Sequence, residues 1–262
     1  MKAVTEINFD GDLIEIFDSN SLFLVFDIAP PSGCSQIISQ IKGNMPQLIT
    51  NDHQFIKILG KVFGLKGERK IEYLEALGTH LGNVVTQGET LFNALALIHD
   101  PDDQTYLLET IGRKGLRNCV KTLDHLLGCL EWLYGKMDTL FCELIGWDYV
   151  IRFVRNGEAL GRMLKYIDEE EEAYLLEMLG WNRVFECVQS TSDLYYVLNG
   201  LDPKNEKRFI ELIPFEKLMV VVPFEDTLNK ICNRYLTDED SKILKNRYKE
   251  ALLKGYNNSA TV

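Results

Sequence analysis

A short motif returns along this chain at a fixed interval. The segments LEALG, LETIG, CELIG, LEMLG and IELIP end at Gly78, Gly112, Gly146, Gly180 and Pro214, each 34 residues after the one before, and Gly43 in SQIKG lies 35 residues before Gly78. Four apolar columns keep the same register. One runs Ile49, Val85, Val120, Val154, Val188, Val222, and the next Phe55, Leu91, Leu126, Leu160, Leu194, Leu228. The last two are Leu59, Leu95, Leu130, Leu164, Leu198, Cys232 and Val62, Ile98, Leu133, Ile167, Leu201, Tyr235. Self-similarity of this kind marks a repeat array, in which each supersecondary unit buries its apolar face against its neighbours. By length alone, 262 residues suit one large or two small domains, but an array needs no central core that grows with the chain.

Within one repeat the columns describe helices. Leu160, Leu164 and Ile167 stand at i, i+4 and i+7, one stripe of a helix. Val150, Phe153 and Val154 give a second stripe, and Leu140, Phe141, Leu144 and Ile145 a third. The joints carry matching punctuation. Asp100-Pro101 and Asp202-Pro203 place a capping carboxylate before a proline at the first helical position. The marker glycines fall where a helix C-terminus wants positive φ, and Ser190 with Asp193 opens another helix. Pro214 cannot take positive φ, so its joint must be built another way. The expected fold is an all-α, right-handed α-solenoid of about six to seven repeats of ~34 residues, three short helices in each.

Residues 36–236 hold the repeats, 237–254 a closing amphipathic helix, and 255–262 a flexible tail. Residues 1–35 allow two readings. Ile16, Leu22, Phe26 and Ala29 each precede a column residue by 33 positions, which favours a degenerate helical capping repeat. The alternation through NFDGDLIEIF and SLFLVFDI instead suggests a β-hairpin turning at Asp10-Gly11.

Composition narrows the function. A net charge of −11 counts against general nucleic-acid binding, since neutralising phosphates supplies most non-specific affinity. The N-terminus lacks a signal-peptide plan, and no apolar stretch approaches the length of a membrane span. Six cysteines without a CxxC pair, each in an apolar run, read as small buried hydrophobes in a reducing compartment. Phosphate-loop, HExxH and GxSxG patterns are missing. The four histidines are scattered over different repeats, so no catalytic residue, metal site or cofactor is expected. The acidic run Asp168 to Glu172 reads as a solvated helix start that complements the helix dipole.

Two groups remain as binding candidates. Trp147, Trp181 and Phe215 follow the marker position at intervals of 34, so they form an aromatic ladder. Such a ladder would either anchor a partner or pack between repeats. Arg152, Arg155, Arg162 and Lys165 give residues 147–167 a net charge of +2 in an acidic chain, as an outward helix face or a reader of acidic surfaces.

The unit LFCELIGWDYVIRFVRNGEALGRMLKYI resembles the tandem helical repeats of secreted type IV effectors from intracellular bacteria such as Legionella, with their LLExLG ending and LxxxLxxL helix. The resemblance covers residues 36–236. It implies a soluble protein of the bacterial cytoplasm that is translocated into host cytosol, where it grips a host protein or another effector. It carries over no catalytic residue. Tetratricopeptide repeats share the length but not the three-helix plan. The mitochondrial terminator and Pumilio repeats that the unit superficially resembles bind nucleic acid, which the charge opposes. The expected function is a non-enzymatic protein-interaction scaffold or regulator. The alternatives are an enzyme with a dispersed site and a phosphate, lipid or nucleic-acid reader acting through the basic residues.

Overall fold

A computed structural model describes residues 5–9, 11–63, 71–133 and 136–254. The protein is mostly helical, and its described residues include a two-stranded antiparallel sheet near the N-terminus. It divides into two compact bodies, one ending at Gly146 and the other beginning at Trp147.

Each repeat holds three consecutive helical segments. The fifth shows the plan most clearly, as Glu169–Leu179, Trp181–Cys187 and Thr191–Leu198. The first segment ends because glycine lets the backbone cross to positive φ. Gly78, Gly112, Gly146 and Gly180 have φ of 48°, 65°, 93° and 72°. A side chain would be strained at these joints. In the third repeat the helix Pro101–Cys119 is broken at Gly112, so it also contributes two segments. At Pro214 the turn is made with φ −59° and ψ 143°, an extended joint that proline accepts.

The middle segment ends on the valine column. Val85, Val120, Val154 and Val188 have ψ between 90° and 93°, and Ile49 and Val222 are also non-helical there. A β-branched side chain is stiff at χ1 and suits this extended backbone. It also plugs the core, because all six side chains are at most 1% exposed. A polar cap then starts the third helix. Thr122, Asn156 and Ser190 accept backbone N–H groups from His125, Ala159 and Asp193. The leucines of that helix fill the interior, and Leu91, Leu126 and Leu160 are fully buried.

Like packs on like. In the first body, Ser19–Ile28 packs against Asp52–Phe63, which packs against Gly88–Leu97, which in turn packs against Leu123–Glu131. The first helices Pro31–Ile41, Ile71–Leu77, Pro101–Cys119 and Met137–Ile145 follow one another in the same way. In the second body, Gly157–Leu164 packs against Thr191–Leu198 and that against Glu225–Tyr235. Asp238–Leu253 covers the last repeat.

The N-terminal segment combines both sequence readings and corrects each. Thr5–Phe9 and Asp12–Ile16 pair with Ile7 opposite Ile14, so these residues are not helical. Gly11 turns with φ 91°, while Asp10 lies outside the described residues. The hairpin stops there, because Ser19–Ile28 is a helix despite its alternating pattern. A capping box decides it. Asp18 accepts the N–H groups of Asn20 and Ser21, and the Ser21 hydroxyl accepts the Asp18 N–H. This helix stands where the third helix of a repeat would, with Leu22 and Phe26 buried as the columns require. The tail 255–262 lies outside the described residues.

Candidate functional site

The aromatic ladder sits in seams between repeats. Trp147 opens a middle segment and meets Tyr174 on the first helix of the next repeat, edge to face at 5.3 Å. Trp181, at the equivalent position, meets Phe209 one repeat on at 6.5 Å, with the Arg208 guanidinium 5.4 Å from its ring. Phe215 lies under Arg247 and Lys254 of the closing helix, 4.7 and 4.1 Å from its ring centre. All three rings are half-buried. Aromatic and cation–π contacts of this kind add to the stacking of neighbouring repeats.

The basic residues are spread over three segments. Arg152 belongs to the 3₁₀ turn Ile151–Phe153 and leans over Tyr149 at 5.7 Å. Arg155 lies in the link before the Asn156 cap, Arg162 in the helix Gly157–Leu164, and Lys165 at its C-cap. Arg152, Arg155 and Lys165 are exposed and Arg162 is half-exposed. They do not form one helix face.

A buried polar column escapes a reading based on apolar periodicity. Gln104, Glu172, Glu206 and Asp240 recur at multiples of 34 near the starts of their helices, and none is more than 8% exposed. Gln104 Nε2 donates to the carbonyls of Ile98 and Trp132, both at 2.8 Å, and so ties down the ends of two third helices. The Glu172 carboxyl accepts the Asp202 N–H at 3.1 Å and Asn205 Nδ2 at 2.9 Å. This corrects the expectation of a fully solvated acidic start. Asp168 is the cap and Glu169 and Glu170 are exposed, but Glu171 and Glu172 turn inward at 5% and 2% exposure. Burial, reinforced by the hydrogen-bonded Asp202 carboxylate, pushes Glu172 up to about 7. Burial, with Asp240 and Asp202 adding negative charge, pushes Glu206 up to about 7 as well. The signal for this column was the return of Gln, Glu or Asp in the first turn and a half of each first helix, at the repeat interval.

The first body also holds a concave site. A groove of about 400 Å³ opens between the third helices Gly88–Leu97 and Leu123–Glu131, lined by Glu89, Phe92, Asp124, His125, Glu131 and Trp132 among others. Its shape follows from two close approaches. A Cβ on Gly88 would lie 2.3 Å from the His125 ring, and one on Gly128 would lie 2.9 Å from Phe92. Each glycine therefore lets a side-chain ring of the opposite helix approach its backbone closely. Both ring nitrogens of His125 are engaged, Nε2 with Glu89 at 3.0 Å and Nδ1 with the Lys121 N–H at 3.4 Å. The Glu89 carboxyl is held below its ordinary range, first by its own backbone N–H and then by His125. The imidazole braces two repeats and has no nitrogen left to take a proton from a substrate. Trp132 stands at the C-cap of Leu123–Glu131 and is 38% exposed.

Among the described residues, no three His, Cys, Asp or Glu side chains gather as a metal site, and no helix is long and apolar enough to cross a membrane. No family model, curated protein or solved structure matches the chain.

Proposed function

We propose that the protein is a non-enzymatic protein-interaction scaffold built as an α-solenoid of about six to seven ~34-residue repeats. The observation that carries this reading is the separation of constant from variable positions. The buried columns, turn glycines and extended valines repeat nearly unchanged, while the outward positions of successive third helices do not. Lys57 and Lys61 in the first repeat give way to Glu89 in the second, Asp124 and Glu131 in the third, and Arg162 in the fourth. A repeated frame with a varied surface suits recognition of an extended partner, which needs buried area rather than a reactive pocket. The full occupation of the His125 ring favours this reading over an enzyme centred on the groove.

In this proposal the partner is a protein. Action inside a host cell after translocation from a bacterium, on a host protein or another effector, remains part of the proposal on the strength of the repeat resemblance. The test is affinity capture with the full chain as bait from host-cell and bacterial lysates, followed by reconstitution with the purified partner. A stoichiometric complex is expected. Finding no reconstitutable partner in either lysate would remove the reading.

A further inference from the structure

We infer that the groove between the third helices of the second and third repeats receives an arginine-bearing segment of a partner protein, with the guanidinium over Trp132 and paired to Glu131. This deepens the scaffold reading and rests on it.

Two features of the groove oppose what folding alone would select. The first is Trp132. Its backbone is fixed, since its carbonyl accepts Gln104 Nε2 at 2.8 Å and its N–H reaches the Cys129 carbonyl at 3.2 Å. Trp132 is nonetheless 38% exposed; Tyr166, the equivalent residue one repeat on, is exposed to the same extent, and Trp132 lines the groove beside Glu131. A partly exposed tryptophan on a fixed stretch of backbone is the kind of group that dominates binding energy at interfaces. The second is Glu131. It is the last residue of Leu123–Glu131, where the helix dipole is negative and a carboxylate is disfavoured. No ion pair to Glu131 is seen among the described residues. Local choices that conflict with the fold concentrate at functional positions.

The chemistry of the lining selects the occupant. Among the described residues lining the groove, the acidic side chains are Glu89, Asp124 and Glu131, and the basic one, His125, is paired to Glu89. Phe92 and Trp132 supply aromatic faces beside these carboxylates. Aromatic face and carboxylate together match arginine, whose planar guanidinium stacks on indole and pairs with a carboxylate in a two-pronged fork. Lysine, a compact and strongly hydrated point charge, gains less from the ring and cannot fork. The −11 charge of the chain steers such a segment toward the protein without choosing the groove.

The probe is a fluorescein-labelled hexa-arginine peptide, titrated by anisotropy against the full chain and against Trp132→Ala, Glu131→Gln and the control Glu170→Gln, whose residue does not line the groove, with circular dichroism confirming each fold. Binding by the wild type is expected, weakened at least fivefold by Trp132→Ala and by Glu131→Gln and unchanged by Glu170→Gln. Trp132→Ala leaves the net charge intact, so general attraction of a cationic peptide to an acidic protein cannot produce that pattern. Absence of wild-type binding, equal binding by all four proteins, or hexalysine binding as tightly as hexa-arginine would each overturn the inference. A captured protein partner that holds Trp132→Ala as strongly as wild type would also overturn it, while leaving the scaffold standing. Failure to capture any partner would count against the scaffold itself.

Discussion

Glycine does two different jobs in this chain, and substitution separates them. At Gly180 the requirement is backbone conformation, since φ is 72° and an added Cβ would meet nothing within 4 Å. At Gly161 the requirement is space, because a Cβ would sit 2.1 Å from the carbonyl oxygen of Tyr196 on the next third helix. Gly180→Ala should therefore cost about 1–3 kcal/mol of strain. Gly161→Ala forces two helix backbones apart and should cost roughly 3 kcal/mol or more. Urea denaturation of both variants checks the order, and equal losses would show that the close approach is wrong. The cysteines make a second prediction at this scale. All six are buried, and burial pushes the Cys142 thiol up to about 12 and Cys119 up to about 11. Reaction with a thiol reagent needs thiolate and access. The native protein should stay unlabelled at neutral pH and yield six reactive thiols in denaturant; rapid labelling of the native chain would contradict this.

At the scale of elements, the buried carboxyls at the starts of the first helices should make stability depend on pH. Glu172 and Glu206 have ordinary values of 4.5 and folded values of about 7. The folded state therefore binds protons more tightly than the unfolded one between these limits. Stability should fall as pH rises from about 4.5 to about 7, and the loss should be complete above that window. At 1.36 kcal/mol per unit the unscreened shifts would sum to about 7 kcal/mol, and solvent reaching the two helix starts reduces this to a few kcal/mol. Thermal melts should shift upward from pH 8 to pH 5.5. Glu172→Gln keeps an acceptor for the Asp202 N–H and gains a donor toward the Asp202 carboxylate, so it should flatten the shift and raise the midpoint at pH 8. A melting temperature that falls on acidification over this range would contradict the proton count.

These helix starts also show where a reading of the sequence runs out. Apolar periodicity located the repeats, the turn glycines and the Asp100, Asp202 and Ser190 caps, because each rests on a local rule of backbone geometry. It missed the inward turn of Glu172, since a carboxylate in a first turn looks complete once the helix dipole is satisfied. It also passed over the groove. Glu131 and Trp132 are unremarkable one at a time, and only the packing of two third helices through Gly88 and Gly128 sets them around a common hollow. At the N-terminus, alternation suggested strands through Ile28, and the Asp18–Ser21 capping box overruled it.

On the scale of the whole molecule, the central claim is that the repeats are interchangeable modules in register. Removing residues 169–202 takes out 34 residues and joins the Asp168 cap directly to Pro203, recreating the Asp-Pro helix start found at Asp202-Pro203. Each neighbour then meets an equivalent surface, as expected where every unit contacts only the next. Removing residues 169–185 instead brings unlike helices together. Paired urea denaturation of these two deletions, followed by circular dichroism, is the most direct measurement. The 34-residue deletion should keep its helical content per residue and a cooperative transition, while the 17-residue deletion should lose cooperativity. If both deletions unfold alike, or if the shorter one is the more stable, the modular register is wrong.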